Sequence, residues 1–336
     1  MSAIRRFYAG NIDNSIFRFT IDTRNIVSGA TNGSQLDKQF ILPIDTGFGS
    51  SFILKVSDGR SDVIVNSNNI STYKTITFAT AGIYEITLIG KANIRFNNMS
   101  PDAKKMTLVS EFGLGFKFST YALQDAINMI WDVPFVRFNE LNRVFIGIKG
   151  FGSNADLSKY IIDSATVATY TFSSIINPMT SVLSGFFPML TNAQDFYRDA
   201  PLASVPEVQI IAPKLTTVSG AFYSSNMRGR IVIQSEVLTI MDSLCRGYTS
   251  PPSLGEVDIR RVTSASFFIN SVMSTANVNA TLLGWANNFD WSKIPTIANK
   301  VTLDFFNSKY SNNQAVIAAK TFLESKGITF TRLTMA

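Results

Sequence analysis

The chain has 336 residues, 46% of them hydrophobic and 16% charged, a length sufficient for two domains and a content that implies extensive burial within the fold or against partners. It contains no histidine and a single cysteine, Cys245, which excludes histidine general-base chemistry, Ser-His-Asp and Cys-His nucleophiles, histidine-containing zinc sites and intrachain disulfides. The formal net charge of +6 comes from basic residues scattered among acids, Arg228-Gly-Arg230 and Arg260-Arg261 being the tight pairs of the central region, so the dense stripe that nucleic acid requires is missing and no nucleic-acid partner is expected.

Residues 1–38 carry Arg5-Arg6, an Asn/Ser/Gly-rich stretch from Asn25 to Ser34 and one apolar run, Ile16-Phe-Arg-Phe-Thr-Ile21. They read as an amino-terminal arm or docking segment, the apolar run being either an added strand or a piece that orders on a partner. Met1–Tyr8 lacks the apolar core of a signal peptide, which leads to an expectation of cytoplasmic synthesis. The chain has no run of about eighteen apolar residues, so no membrane insertion is expected.

Residues 39–104 hold five strand-like runs: Gln39–Leu42, Ser51–Val56, Asp62–Val65, Lys74–Phe78 and Ile83–Ile89. Short strands at close, regular spacing predict a small β-sandwich, with Asp58-Gly59 turning the chain between the second and third runs.

From residue 105 to 281 one unit repeats. Phe118, Leu141, Val167, Leu190, Leu215, Leu238 and Val262 each open an apolar phrase, at spacings of about 23 to 26 residues, the period of a solenoid. The clearest copies are Leu190-Thr-Asn-Ala-Gln-Asp-Phe196, Leu215-Thr-Thr-Val-Ser-Gly-Ala221, Leu238-Thr-Ile-Met-Asp-Ser-Leu244 and Val262-Thr-Ser-Ala-Ser-Phe-Phe268. Their apolar first, fourth and seventh places predict a short helix or a 3₁₀ turn. An alternating stretch follows in three copies, as Glu207-Val-Gln-Ile210, Arg230-Ile-Val-Ile233 and Glu256-Val-Asp-Ile259, and predicts one parallel strand per copy. Such units bury their apolar faces only by stacking, which lays the strands side by side as a leucine-rich-repeat sheet. Cys245 falls where Tyr197 and Phe222 fall in neighbouring copies, a core-packing position.

Residues 282–336 close the open end of the stack as a carboxy-terminal cap. Leu282–Ala286 is followed by Val301–Phe305, a helix-like Gln314–Glu324, Gly327 at its C-cap and a last strand from Lys326 to Phe330.

The fold class expected is therefore α+β with a solenoid: an amino-terminal β-sandwich, an irregular leucine-rich-repeat solenoid and a cap. With Val208/Ile210, Ile231/Ile233 and Val257/Ile259 turned inward, the outward strand positions become Glu207 and Gln209, Arg230 and Val232, and Glu256 and Asp258, with Arg260 at the edge. Tyr197, Tyr223 and Tyr248 lie close enough in sequence to stack on sugar rings. These ten residues form the expected binding set, and no catalytic, cofactor or metal residue is expected.

The phrase Phe78-Ala-Thr-Ala-Gly-Ile-Tyr-Glu-Ile-Thr-Leu-Ile-Gly90, the irregular coils, and the ending Leu283-Gly-Trp285 with Asn307-Ser-Lys-Tyr-Ser311 and Lys326-Gly-Ile-Thr329 resemble the BspA-like leucine-rich-repeat surface proteins, over roughly residues 39 to 330. Val56-Ser-Asp-Gly59 stands where the family has a Trp-Gly-Asp-Gly hairpin. The resemblance implies a recognition or structural surface protein. With the expected cytoplasmic synthesis, it points to a bacteriophage virion component, fibre-like or capsid-decorating, rather than a bacterial cell-surface protein. That component would contact other virion proteins through its amino-terminal region and a host surface glycan or protein through the repeats. It is expected to be a homo-oligomer, a trimer suiting a fibre, and not an enzyme. Two alternatives stand beside it: a purely structural spacer or packing subunit, and a polysaccharide depolymerase using Glu207, Glu256 and Asp258, whose chemistry needs no histidine.

Overall fold

The computed structural model describes residues 16–26, 36–45, 49–96, 101–248, 251–266, 269–293 and 301–336. Most of the expected arm, residues 1–15 and 27–35, lies outside the described residues, as do Phe267 and Phe268. The described chain is mostly sheet with few helices, and it forms two compact units: Met1–Asn139 with Val144–Ile161, and Glu140–Arg143 with Ile162–Ala336. None of its helices is long and apolar enough to cross a membrane.

In the first unit the strands are β1 (Ile16–Asp22), β2 (Gln39–Ile41), β3 (Ser51–Val56), β4 (Val63–Asn66), β5 (Thr75–Thr77), β6 (Ile83–Ile94), β7 (Met106–Phe112), β8 (Phe116–Phe118), β9 (Ile130–Trp131), β10 (Arg137–Phe138) and β11 (Gly150–Phe151). All five runs expected between residues 39 and 104 contain strands. The apolar run of the expected arm is also a strand: β1 lies inside an eight-stranded sheet ordered β11-β9-β7-β1-β6-β3-β4, with β8 beside β6. Its alternation explains this, since Phe17, Phe19 and Ile21 are fully buried and a strand with one apolar face gains most when paired on both edges. The boundary drawn at residue 104 falls within this unit, because β7 pairs antiparallel with β1 and parallel with β9. The pair β2–β5 forms a separate sheet, and Phe40 on β2 meets Phe19 with ring centroids 5.9 Å apart. Asp58-Gly59 makes the expected turn between β3 and β4, Gly59 at φ +84°.

β12 (Ile161–Ile162) precedes the strands of the second unit: β13 (Gly185–Phe186), β14 (Glu207–Ile211), β15 (Arg230–Gln234) and β16 (Glu256–Val257), a parallel sheet in that order. The register places Val208 beside Ile231, Ile210 beside Ile233 and Ile233 beside Val257. All five side chains are buried, as is Ile259, so the inward set read from alternation is the set observed.

The apolar phrases are not helices. The first six are runs of turns, each carrying two left-handed residues four positions apart: Tyr121 and Asp125, Arg143 and Gly147, Tyr170 and Ser174, Asp195 and Asp199, Gly220 and Ser224, Ser243 and Gly247. Left-handed residues turn the N–H groups away from their own chain and toward the next copy. Asp195 N–H reaches the Ser219 carbonyl at 2.8 Å, Tyr197 N–H that of Ala221 at 2.8 Å, and Phe222 N–H that of Leu244 at 3.0 Å. Parallel bridges Val167–Asn192–Thr217–Ile240–Ser264 continue the same ladder. An apolar residue every third place suits a helix and a turn ladder equally, and backbone pairing between copies decides for the ladder. These bridges also shift the phase: Ala165, not Val167, corresponds to Leu190, Leu215 and Leu238.

The threonine after each opener has a role in this ladder. The hydroxyls of Thr191 and Thr216 donate across copies to the carbonyls of Thr166 and Thr191, both at 2.9 Å, and Thr239 and Thr263 repeat the contact at 3.2 and 3.3 Å. Two residues past the first left-handed position, Phe172, Tyr197, Phe222 and Cys245 line up in the core, all fully buried. Burial pushes the Cys245 thiol up, away from the thiolate a nucleophile needs.

The three described helices are α1 (Ile70–Tyr73) in the first unit, and α2 (Thr275–Asn287) and α3 (Gln314–Ser325) in the second, where α3 precedes the expected glycine: Gly327 has φ +93° and its N–H meets the Glu324 carbonyl at 3.0 Å. The last strands, β17 (Val301–Tyr310) and β18 (Ile328–Met335), pair in parallel. α2 is anchored by glycine-to-glycine contact: a Cβ on Gly284 would lie 2.5 Å from the Gly255 Cα. Replacing Gly284 with valine is therefore expected to cost about 1–3 kcal/mol in a denaturant melt, whereas a helix merely resting on the repeats would tolerate it.

Candidate functional site

β14, β15 and β16 present their second face away from the core. At its amino-terminal end Arg230 stands between two carboxylates, its Nη1 2.9 Å from Glu207 and its Nε 2.8 Å from Glu256. Glu207 also accepts from the Gln209 amide. The register sets Glu207 directly beside Arg230 across β14–β15, while Glu256, in register with Val232, reaches Arg230 diagonally; opposite charges on neighbouring strands attract.

The Gln209 amide and the Arg230 guanidinium hold the Glu207 carboxyl below the usual glutamate range. A lowered carboxyl favours the ionised folded form, so its contribution is present above the unfolded-state pKa and is lost as pH falls through the folded one. These side chains are substantially exposed, which keeps the contribution small. Arg230→Ala is expected to raise the Glu207 titration midpoint toward the free value near 4.3, as read by carboxyl carbon NMR; an unmoved midpoint would show that Gln209 alone sets it. The direction is also opposite to the raised pKa of a glycosidase acid.

Toward the other end of the face a cleft of about 400 Å³ opens. Its floor holds Ile211 and Gln234, and its wall is Asn288, Phe289 and Asp290, placed there as the chain leaves α2. Arg260 closes one side: its Nε and Nη2 bond the Asp258 carboxylate at 2.9 and 2.8 Å, its Nη1 reaches the Asp290 carbonyl at 3.0 Å, and its guanidinium lies 5.3 Å from the Phe289 ring centroid.

The expected binding set divides on this geometry. Glu207, Gln209, Arg230 and Glu256 line the face as expected, and Arg260 reaches the cleft. Val232 is 4% exposed; it stands in register between Gln209 and Glu256, two longer side chains that flank it. Asp258 is also buried, beneath Arg260. Tyr197 and Tyr248 are core residues, since the Tyr197 hydroxyl donates to the Leu183 carbonyl at 2.7 Å and the Tyr248 hydroxyl pairs with that of Ser225 at 2.5 Å. A buried phenol needs such a partner. Tyr223 alone of the three is half-buried, its ring 4.6 Å from the Arg198 guanidinium and 5.7 Å from that of Arg246. It belongs to the turn ladder rather than to the sheet face.

Sequence reasoning missed Phe186, Gln234 and Phe289. β13 is two residues long and gives no alternation to read, while Phe289 follows a helix and obeys no period. Gln234 was within reach, being the next outward position after Arg230 and Val232.

No family model matches the chain, and no curated protein or solved structure matches it significantly.

Proposed function

We propose that the chain is a non-enzymatic recognition protein of a bacteriophage virion, fibre-like or capsid-decorating, which holds a host surface glycan or protein on its repeat sheet. In this reading the second unit is a leucine-rich-repeat solenoid closed by its carboxy-terminal segment. The first unit is a β-sandwich-type docking domain, its two sheets meeting across Phe19 and Phe40. The observation that carries the attachment role is the face of β14–β16, where an exposed polar triad and an open cleft sit on parallel strands braced by two sets of inter-copy hydrogen bonds. Rigid strands hold ligand groups with little ordering cost on binding. Assignment to a virion rests on the resemblance to BspA-like proteins, and homo-oligomerisation, with a trimer favoured, belongs to the same proposal.

Immunogold electron microscopy with antibody to the second unit tests it. Label on fibres or shell of phage particles, together with binding of the purified chain to host cells, is the expected result. Label confined to the bacterial envelope would return the chain to the cellular surface proteins.

A further inference from the structure

Two outward steps beyond Glu207 and Arg230, a row crosses the strands as Phe186, Ile211 and Gln234, in register, and runs into the cleft walled by Asn288 and Phe289. Phe186 is 61% exposed. An exposed phenylalanine on a strand end, aligned with an aliphatic side chain and then an amide, is a graded surface: apolar at one end, hydrogen-bonding at the other. From β13 to β15 it spans two strand steps, about 10 Å, and the cleft continues it, room for a short linear oligomer laid across the strands.

Charge narrows what can lie there. The cleft is lined by Glu236, Asp258 and Asp290, with Arg260 the sole cation among the described residues that line it, and both arms of the Arg260 fork are taken by Asp258. The local balance is acidic although the chain as a whole carries +6. A polyanion would meet carboxylates with no guanidinium edge left to pair them, which disfavours it. Amides and carboxylates suit ring hydroxyls, which donate and accept, while an exposed aromatic ring suits the apolar face of a sugar.

We propose that this row is a subsite for a neutral oligosaccharide chain, its apolar sugar face on Phe186 and Ile211 and its hydroxyls on Gln234, Asn288 and Glu236. The inference rests on the attachment role proposed above and names its ligand class. The test uses the full-length protein with immobilised linear neutral hexose oligosaccharides, and with uronic-acid and sulfated oligosaccharides as the contrasting probes. Phe186→Ala and Gln234→Ala alter exposed side chains, so both variants should melt as the parent does.

The expected result is retention of the neutral probes alone, weakened about tenfold in each variant, with the same neutral oligosaccharides competing for host-cell binding. Retention of the acidic probes alone would overturn the subsite, as would neutral binding that both variants leave intact. Host-cell binding that no neutral oligosaccharide competes would overturn it while leaving attachment standing, for instance to a protein. Failure to bind host cells at all would remove the attachment role and the subsite together.

Discussion

Asp102→Ala is expected to lower the stability of the first unit by about 3–5 kcal/mol, a large share of what a domain possesses. Asp102 and Lys105 lie in a 3₁₀ turn, Pro101–Lys105, with both side chains 0% exposed and the ammonium 2.8 Å from the carboxylate. The Lys105 Nζ also donates to the carbonyls of Leu36 and Gln39, at 3.0 and 2.7 Å, so the turn is tied to the chain entering β2. Removing the carboxylate takes away the countercharge 2.8 Å from a fully buried cation. The double variant Asp102→Ala/Lys105→Met removes the charge as well and should recover much of the loss, because two desolvated charges gain little over an apolar pair. Denaturant unfolding followed by the fluorescence of buried Trp131 measures both; a single-variant cost under about 1 kcal/mol would mean that water reaches the pair.

Tyr197→Ala should be comparably damaging to the second unit, at about 3–5 kcal/mol. The ring is fully buried, stacked 5.2 Å from Phe172 and 5.9 Å from Phe222, so truncation empties the middle of a three-copy column. Tyr197→Phe keeps the column and loses only the bond to Leu183, a cost of about 1 kcal/mol. The phenol adds a dependence on pH. Burial raises the folded pKa of Tyr197 and of Tyr248, so the neutral form is favoured in the fold. Their contribution is complete below the unfolded-state value near 10 and declines as pH rises above it. Thermal melts from pH 8 to 11 should show this decline, shallower in Tyr197→Phe. If Tyr197→Ala instead left stability intact and abolished ligand binding, the residue would be the surface platform that sequence alone had suggested.

That contrast shows where the sequence was legible. Copies at a fixed period, three alternating strands and their inward residues could all be read, because strand alternation and stacking obey local rules that leave a trace in residue order. The place of Cys245 in the aromatic column, and the helix and glycine before the last strand, followed from the same rules.

Tertiary structure decided the rest. An apolar residue every third place has no preference between a helix and a ladder of left-handed turns until a neighbouring copy offers carbonyls to the freed N–H groups. Ile16–Asp22 became an inner strand, rather than an arm, because strands far along the chain pair with both of its edges. Val232, Tyr197 and Tyr248 were withdrawn from the binding face by neighbours: longer side chains beside the valine and buried oxygen partners for the phenols. Phe186 was set beside Ile211 by strand order, and Phe289 was brought to the cleft by the exit of α2. The sequence by itself determined the repeat, its strands and the chemistries it excludes, since these depend on residues near one another in the chain; which side chains reach solvent depends on residues far apart, and only the packed copies settled it.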